Sequence, residues 1–177
     1  MIKPVLEPEF KPAIVELREF KNKVAQYPNK QHLIIDVERD NGFIYRKEFD
    51  ILPEGVDDEL NTFIAERYIK SILWGAGGFR IYIAGSHKVF EDIKSYYQPN
   101  GLRAFDYDFF STCYERPVEV VECTLENIPA EKKQSISLGG HLNGRRIGFD
   151  AGGSDRKTSA VVDGQTIYSE EVIWQPK

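Results

Sequence analysis

The chain has 177 residues, with 23 Lys and Arg against 28 Asp and Glu, a formal net charge of −5; 41% of it is hydrophobic, 12% aromatic and 29% charged. That much apolar and aromatic side chain excludes a disordered chain. The acidic balance offers phosphates no basic field, which excludes a general nucleic-acid binder, and no apolar run approaches the roughly 20 residues a membrane helix needs. The N-terminus, MIKPVLEPEFKPAIVELREF, carries acids and prolines where a signal peptide carries an apolar stretch, so the expected compartment is the cytoplasm. Cys113 and Cys123 are too few for a disulfide scaffold and match no zinc spacing with the scattered His32, His87 and His141. Both cysteines are expected to be small, partly buried core residues.

Residues 1–30 read as a helix-leaning lead-in. Pro12 suits a first helical turn, and Ile14, Val15, Leu17 and Phe20 recur near a helical period until Pro28 and Asn29 stop it. Residues 31–52 predict a β-hairpin, with arms His32–Glu38 and Phe43–Phe49 joined through Asp40-Asn41-Gly42, because Asn-Gly fits a tight hairpin turn. Residues 57–73 predict a helix: Asp57 and Asp58 supply an N-cap and favourable charge, and Leu60, Ile64, Tyr68 and Ile72 share one face. Gly75-Ala76-Gly77-Gly78 ends it, and Phe79–Ala84 reads as a strand. Ser86 is placed to cap a second helix carrying Val89, Phe90, Ile93 and Tyr97, closed by Pro99-Asn100-Gly101, and Val118–Thr124 reads as a further strand. The order strand, strand, helix, strand, helix, strand over residues 31–125 predicts an α/β (α+β) domain, a mixed sheet with packed helices.

Residues 126–145 are polar and glycine-bearing and read as a linker or surface loop. Residues 146–177 change character. Arg146–Asp150 is a short strand, Ala151-Gly152-Gly153-Ser154 a tight loop, Thr158–Asp163 a second strand, Asp163-Gly164 a turn and Gln165–Trp174 a third strand. A three-stranded antiparallel β-meander follows.

Three other segments invite a functional reading. Trp74-Gly75-Ala76-Gly77-Gly78 is glycine-rich but follows a helix, the reverse of a dinucleotide-binding turn, and reads as a helix stop. Gly85-Ser86-His87-Lys88 opens a helix after a strand, where an anion can sit, although an ordinary strand–helix turn explains it as well. In Arg103–Phe110, Asp106 and Asp108 would share one face of a strand, as a carboxylate pair or part of a carbohydrate-contacting aromatic surface, or the aromatics are core and the acids solvated.

The most informative run is Asp150-Ala151-Gly152-Gly153-Ser154 with Asp155-Arg156-Lys157-Thr158. Glycines let a backbone approach a phosphate and aim N–H donors at it. An acid at the end of the incoming strand suits Mg²⁺ held through water, and a hydroxyl and a lysine after the turn suit a phosphoryl group. The same glycines also make an ordinary hairpin connection, with Asp150 and Asp155 as solvated turn acids.

The wider stretch RIGFDAGGSDRKTSAVVDGQTIYSEEV resembles the first phosphate-binding hairpin of the actin-like ATPase superfamily. Within it, the chain is similar to the ROK family (repressors, open reading frames and sugar kinases), in a bacterial branch with a long N-terminal extension. Two runs carry that likeness: LGGHLNGRRIGFDAGGSDRK at 138–157 and RAFDYDFFSTCYERP at 103–117. The resemblance implies that Asp150 is the metal-side acid, holding Mg²⁺ through water. It implies that Gly152, Gly153 and Ser154 face the ATP phosphates, with Ser154 in place of the usual threonine. Lys157 corresponds to the basic residue after the glycines, and Thr158 follows it; Asp155-Arg156 look like extra residues in the turn. The catalytic aspartate, the sugar-binding Glu/His set and the CxCGxxGCxE zinc motif of ROK kinases lie later in that family and are absent here. The expectation is therefore the N-terminal part of an ATP-dependent carbohydrate kinase: an accessory domain followed by the start of an actin-like lobe, inactive alone and holding no tightly bound ATP or Mg²⁺. Its expected partners are the remainder of the kinase fold or a second copy paired through strands 146–174, with no nucleic acid and no membrane. The alternative is a non-catalytic α/β binding or oligomerisation module.

Overall fold

The computed structural model describes residues 5–7, 10–133 and 139–174. Parts of the lead-in (1–4 and 8–9), of the linker reading (134–138) and of the final segment (175–177) lie outside the described residues. The chain forms two compact units, Met1–Gln134 and Ser135–Lys177.

The first unit opens with α1 (Ala13–Val24), which buries Phe20 and Val24, one turn apart. Strands β1 (Gln31–Arg39) and β2 (Phe43–Ile51) form the expected hairpin, and at its turn Asn41 and Gly42 have φ of 62° and 65°, the left-handed values Asn and Gly tolerate. Helix α2 (Asp58–Ala76) is capped by Asp57, whose carboxylate accepts the Leu60 N–H, and ends at Gly77 with φ 78°. Strand β3 (Arg80–Ala84) leads into α3 (His87–Tyr96), where the Ser86 hydroxyl accepts the Val89 N–H.

Sequence reading missed one helix. Residues Ala104–Cys113 form α4, not a strand, so Asp106 and Asp108 do not share a face. Strand β4 (Glu119–Cys123) then pairs parallel with β3, which requires a crossover, here through α3 and α4. The sheet order is β2-β1-β3-β4, with the other pairs antiparallel.

The core lies between one sheet face and the helices. Leu33, Ile35, Val37, Ile81 and Ile83 pack with Ile64, Ile69, Leu73, Val89 and Ile93. On the opposite face Asp36 is fully buried, and Arg46 holds it through two hydrogen bonds, Nε to Oδ1 at 2.9 Å and Nη2 to Oδ2 at 2.7 Å. Arg46 also donates to the Pro129 carbonyl, and the Ile44 N–H to that of Lys132, so residues 129–132 of the segment read as a linker are tied to β2. Cys123 is partly buried as expected, but Cys113 is exposed on the last turn of α4. Among the described residues, no helix is long and apolar enough to cross a membrane.

The second unit is the expected antiparallel meander of β5 (Arg145–Ala151), β6 (Asp155–Val162) and β7 (Gln165–Ile173). Its Asp163-Gly164 turn has positive φ at both residues. Ile147, Phe149, Ala160 and Tyr168 share one face by register, while Asp150, Lys157, Ser159 and Glu171 share the other. No described residue of this unit is buried, and Ile147 and Phe149 are 81% and 63% exposed.

Candidate functional site

The Gly152-Gly153-Ser154 loop joins β5 to β6. A Cβ on Gly152 would lie 2.9 Å from the Asp155 carbonyl oxygen, so close approach within the loop itself demands that glycine. Gly153 differs: its φ lies outside the left-handed region, and a Cβ there would have no atom within 4 Å. Nothing in the fold requires glycine at 153. The backbone N–H groups of Gly152, Gly153 and Ser154 meet no acceptor among the described residues. The loop therefore presents three consecutive N–H groups unengaged among the described residues, with open space beside Gly153.

Asp150 sits one residue before the end of β5, directly across from Lys157. Its carboxylate makes no hydrogen bond or ion pair among the described residues, so it is available to the water shell of a hydrated Mg²⁺, the mode that ion prefers. Lys157 is less available. Its Nζ lies 2.9 Å from Asp155 Oδ1 and 3.8 Å from Glu171 Oε1. Those carboxylates, Asp155 first, raise the ammonium pKa above its ordinary value. This face thus carries Asp150, Asp155 and Glu171 around one lysine, and the excess negative charge favours phosphate only when a cation bridges them. Thr158 pairs with Phe149 and lies on the opposite face from Asp150 and Lys157. The structure therefore brings Asp150, the two glycines, Ser154 and Lys157 to one end of the hairpin, and sets Thr158 apart.

Sequence reading missed Trp174. Its indole Nε1 donates to the Gly152 carbonyl at 2.9 Å, and its backbone N–H to the Ser154 carbonyl at 3.1 Å. Both bonds take up loop carbonyls and leave the loop N–H groups unengaged. The one available signal was the Asp163-Gly164 turn: counting outward from it pairs Ser154 with residue 173, and the irregularity after Ala160 moves the partner to 174.

The other sequence candidates are engaged internally. At the start of α3, Ser86 caps the helix, His87 Nδ1 lies 2.8 Å from Glu122 Oε1, and Lys88 pairs with Asp92 at 2.5 Å. Hydrogen bonding to Glu122, and then its charge, raises the His87 pKa. Asp106 is 3% exposed and accepts the Trp74 indole N–H at 2.7 Å, with Lys70 at 3.8 Å, so it is a buried structural acceptor. The glycines after Trp74 end α2, and a side chain at Gly77 would run into the Tyr114 hydroxyl. Among the described residues, no group of three or more His, Cys, Asp or Glu is placed to hold a metal ion.

Comparison of the chain with protein families, with curated proteins and with solved structures gives no match.

Proposed function

We propose that residues 145–174 are a nucleotide-phosphate hairpin, the opening of an actin-like ATPase lobe of the ROK type, and that the chain is the N-terminal part of an ATP-dependent carbohydrate kinase. The observation that carries the reading is the loop: three consecutive N–H donors unengaged among the described residues, a glycine at 153 with open space around it, and Asp150, which has no hydrogen bond or ion pair among those residues. Gly152, Gly153 and Ser154 donate to phosphate oxygens, and Asp150 orients the water shell of Mg²⁺. Asp150 would hold the hydrated ion, which would supply positive charge to offset the phosphate and the neighbouring carboxylates. Lys157 holds Asp155 and Glu171 in place. The exposed apolar face of Ile147, Phe149 and Tyr168 is then the surface that the rest of the lobe covers, since a meander of this size needs a covered face for stability.

Calorimetric titration of the intact chain with ATP tests the proposal. Weak binding is expected with Mg²⁺, about tenfold weaker in Asp150→Asn or without Mg²⁺. The absence of any Mg²⁺-dependent heat at millimolar ATP overturns it and favours the second reading, a binding module centred on the first unit. That reading rests on the core cluster of buried residues, which among the described residues lies in the first unit.

A further inference from the structure

Two cavities flank α1. The larger, about 300 Å³, is walled by Leu17, Phe20 and Val24 of α1, Phe49 of β2 and Tyr68 of α2. The smaller, about 230 Å³, shares Leu17 and Tyr68 with it. Both are half-open clefts at the protein surface. Here they lie beside a helix that buries only Phe20 and Val24. The larger one reaches the lower bound of volumes that hold small molecules.

Its walls are apolar and its rim is cationic. Lys21 and Lys30 both line it, with Asp50 as the facing acid. Lys30 Nζ lies 2.7 Å from Asp50 Oδ2, but His32 Nδ1 shares that carboxylate at 3.2 Å, while Lys21 has no acceptor among the described residues. The Tyr68 hydroxyl also has no hydrogen-bond partner among the described residues, and Lys47 Nζ lies 4.8 Å from the Tyr68 ring centre. We propose that this cavity binds an amphipathic organic anion, with its apolar body between Phe20, Val24, Phe49 and Tyr68 and its carboxylate at the Lys21–Lys30 rim. A cationic amphiphile meets like charge there, and a neutral hydrocarbon leaves Lys21 unpaired. The site lies wholly within the first unit and is independent of the phosphate hairpin.

The test is titration of decanoate, kept below its micelle-forming concentration, into the intact chain, followed by amide shifts. Saturable shifts are expected at Phe20, Val24, Lys30, Phe49 and Tyr68. Decanol, with the same tail and no charge, binds about tenfold more weakly, as the loss of one charge-assisted hydrogen bond implies. Lys21→Gln weakens decanoate by a similar factor and leaves decanol unchanged. Val24→Phe fills the cavity and removes both; its melting curve reports whether it folds, and the surface substitution decides the matter if it does not. The proposal is overturned if decanoate gives no saturable shifts, if the shifts map elsewhere, or if decanol binds as tightly and Lys21→Gln changes nothing.

Discussion

Gly153→Ala separates a phosphate cradle from a plain turn. At Gly153 the backbone lies outside the left-handed region, and an added Cβ has no atom within 4 Å. Alanine at such a position removes freedom from the unfolded chain and stabilises by about 0.4–1 kcal/mol. The melting temperature of Gly153→Ala should therefore equal or exceed that of the parent. Gly152→Ala should do the opposite, because its Cβ would lie 2.9 Å from the Asp155 carbonyl and 3.1 Å from its carboxylate, at a loss of roughly 1 kcal/mol. If the loop cradles phosphate, the methyl at 153 stands where the ligand must approach the backbone, and Mg-ATP binding should fall about tenfold or more. Calorimetric melting and Mg-ATP titration of the two variants read both effects. A Gly153→Ala variant that melts normally and binds Mg-ATP as tightly as the parent refutes the cradle. One that melts well below the parent refutes the conformational reasoning.

Gly85→Ala should be severe: φ is 106° and a Cβ would run into the His32 carbonyl of the central strand, for a loss of about 3 kcal/mol or more in urea unfolding. Asp106→Ala removes a buried acceptor from the Trp74 indole and should lower stability by about 1–3 kcal/mol, with a change in tryptophan emission. His87 should titrate above its ordinary range by NMR, and Glu122→Gln should lower its pKa, since Glu122 is the largest cause of the rise. Because its folded pKa is raised, the stabilisation from this pair is complete below the unfolded pKa and is lost as pH rises through the folded one. The edges of β5 and β7 should pair with a second copy, so sedimentation velocity should show dimers growing with concentration; a monomer at the highest concentration contradicts this.

Much of the first unit was legible because its signals are local. Asn41-Gly42 marks the hairpin, Asp57 and Ser86 mark helix starts, and the repeat of Leu60, Ile64, Tyr68 and Ile72 marks α2. Helix α4 was not legible. Its aromatics and acids alternate at period two, while its buried face is Asp106 and Phe110, one turn apart. The residue that makes Asp106 tolerable there is Trp74, 32 positions earlier, and no local pattern announces that partner. The site divides the same way. Its acid, glycines and serine were legible as a run, whereas the engagement of Lys157 by Asp155 and Glu171 and the lock of Trp174 on the loop arise only once three strands are in register. The α1 cavity has no sequence signal, since its lining comes from α1, the segment after it, β2 and α2.

The most direct measurement is the ¹⁵N–¹H spectrum of the intact chain during titration with ATP, with and without Mg²⁺. The account predicts Mg²⁺-dependent shifts concentrated at the amides of Gly152, Gly153 and Ser154, with smaller changes at Asp150 and Lys157. Loop amides that stay fixed at millimolar Mg-ATP, or shifts confined to the first unit, contradict it.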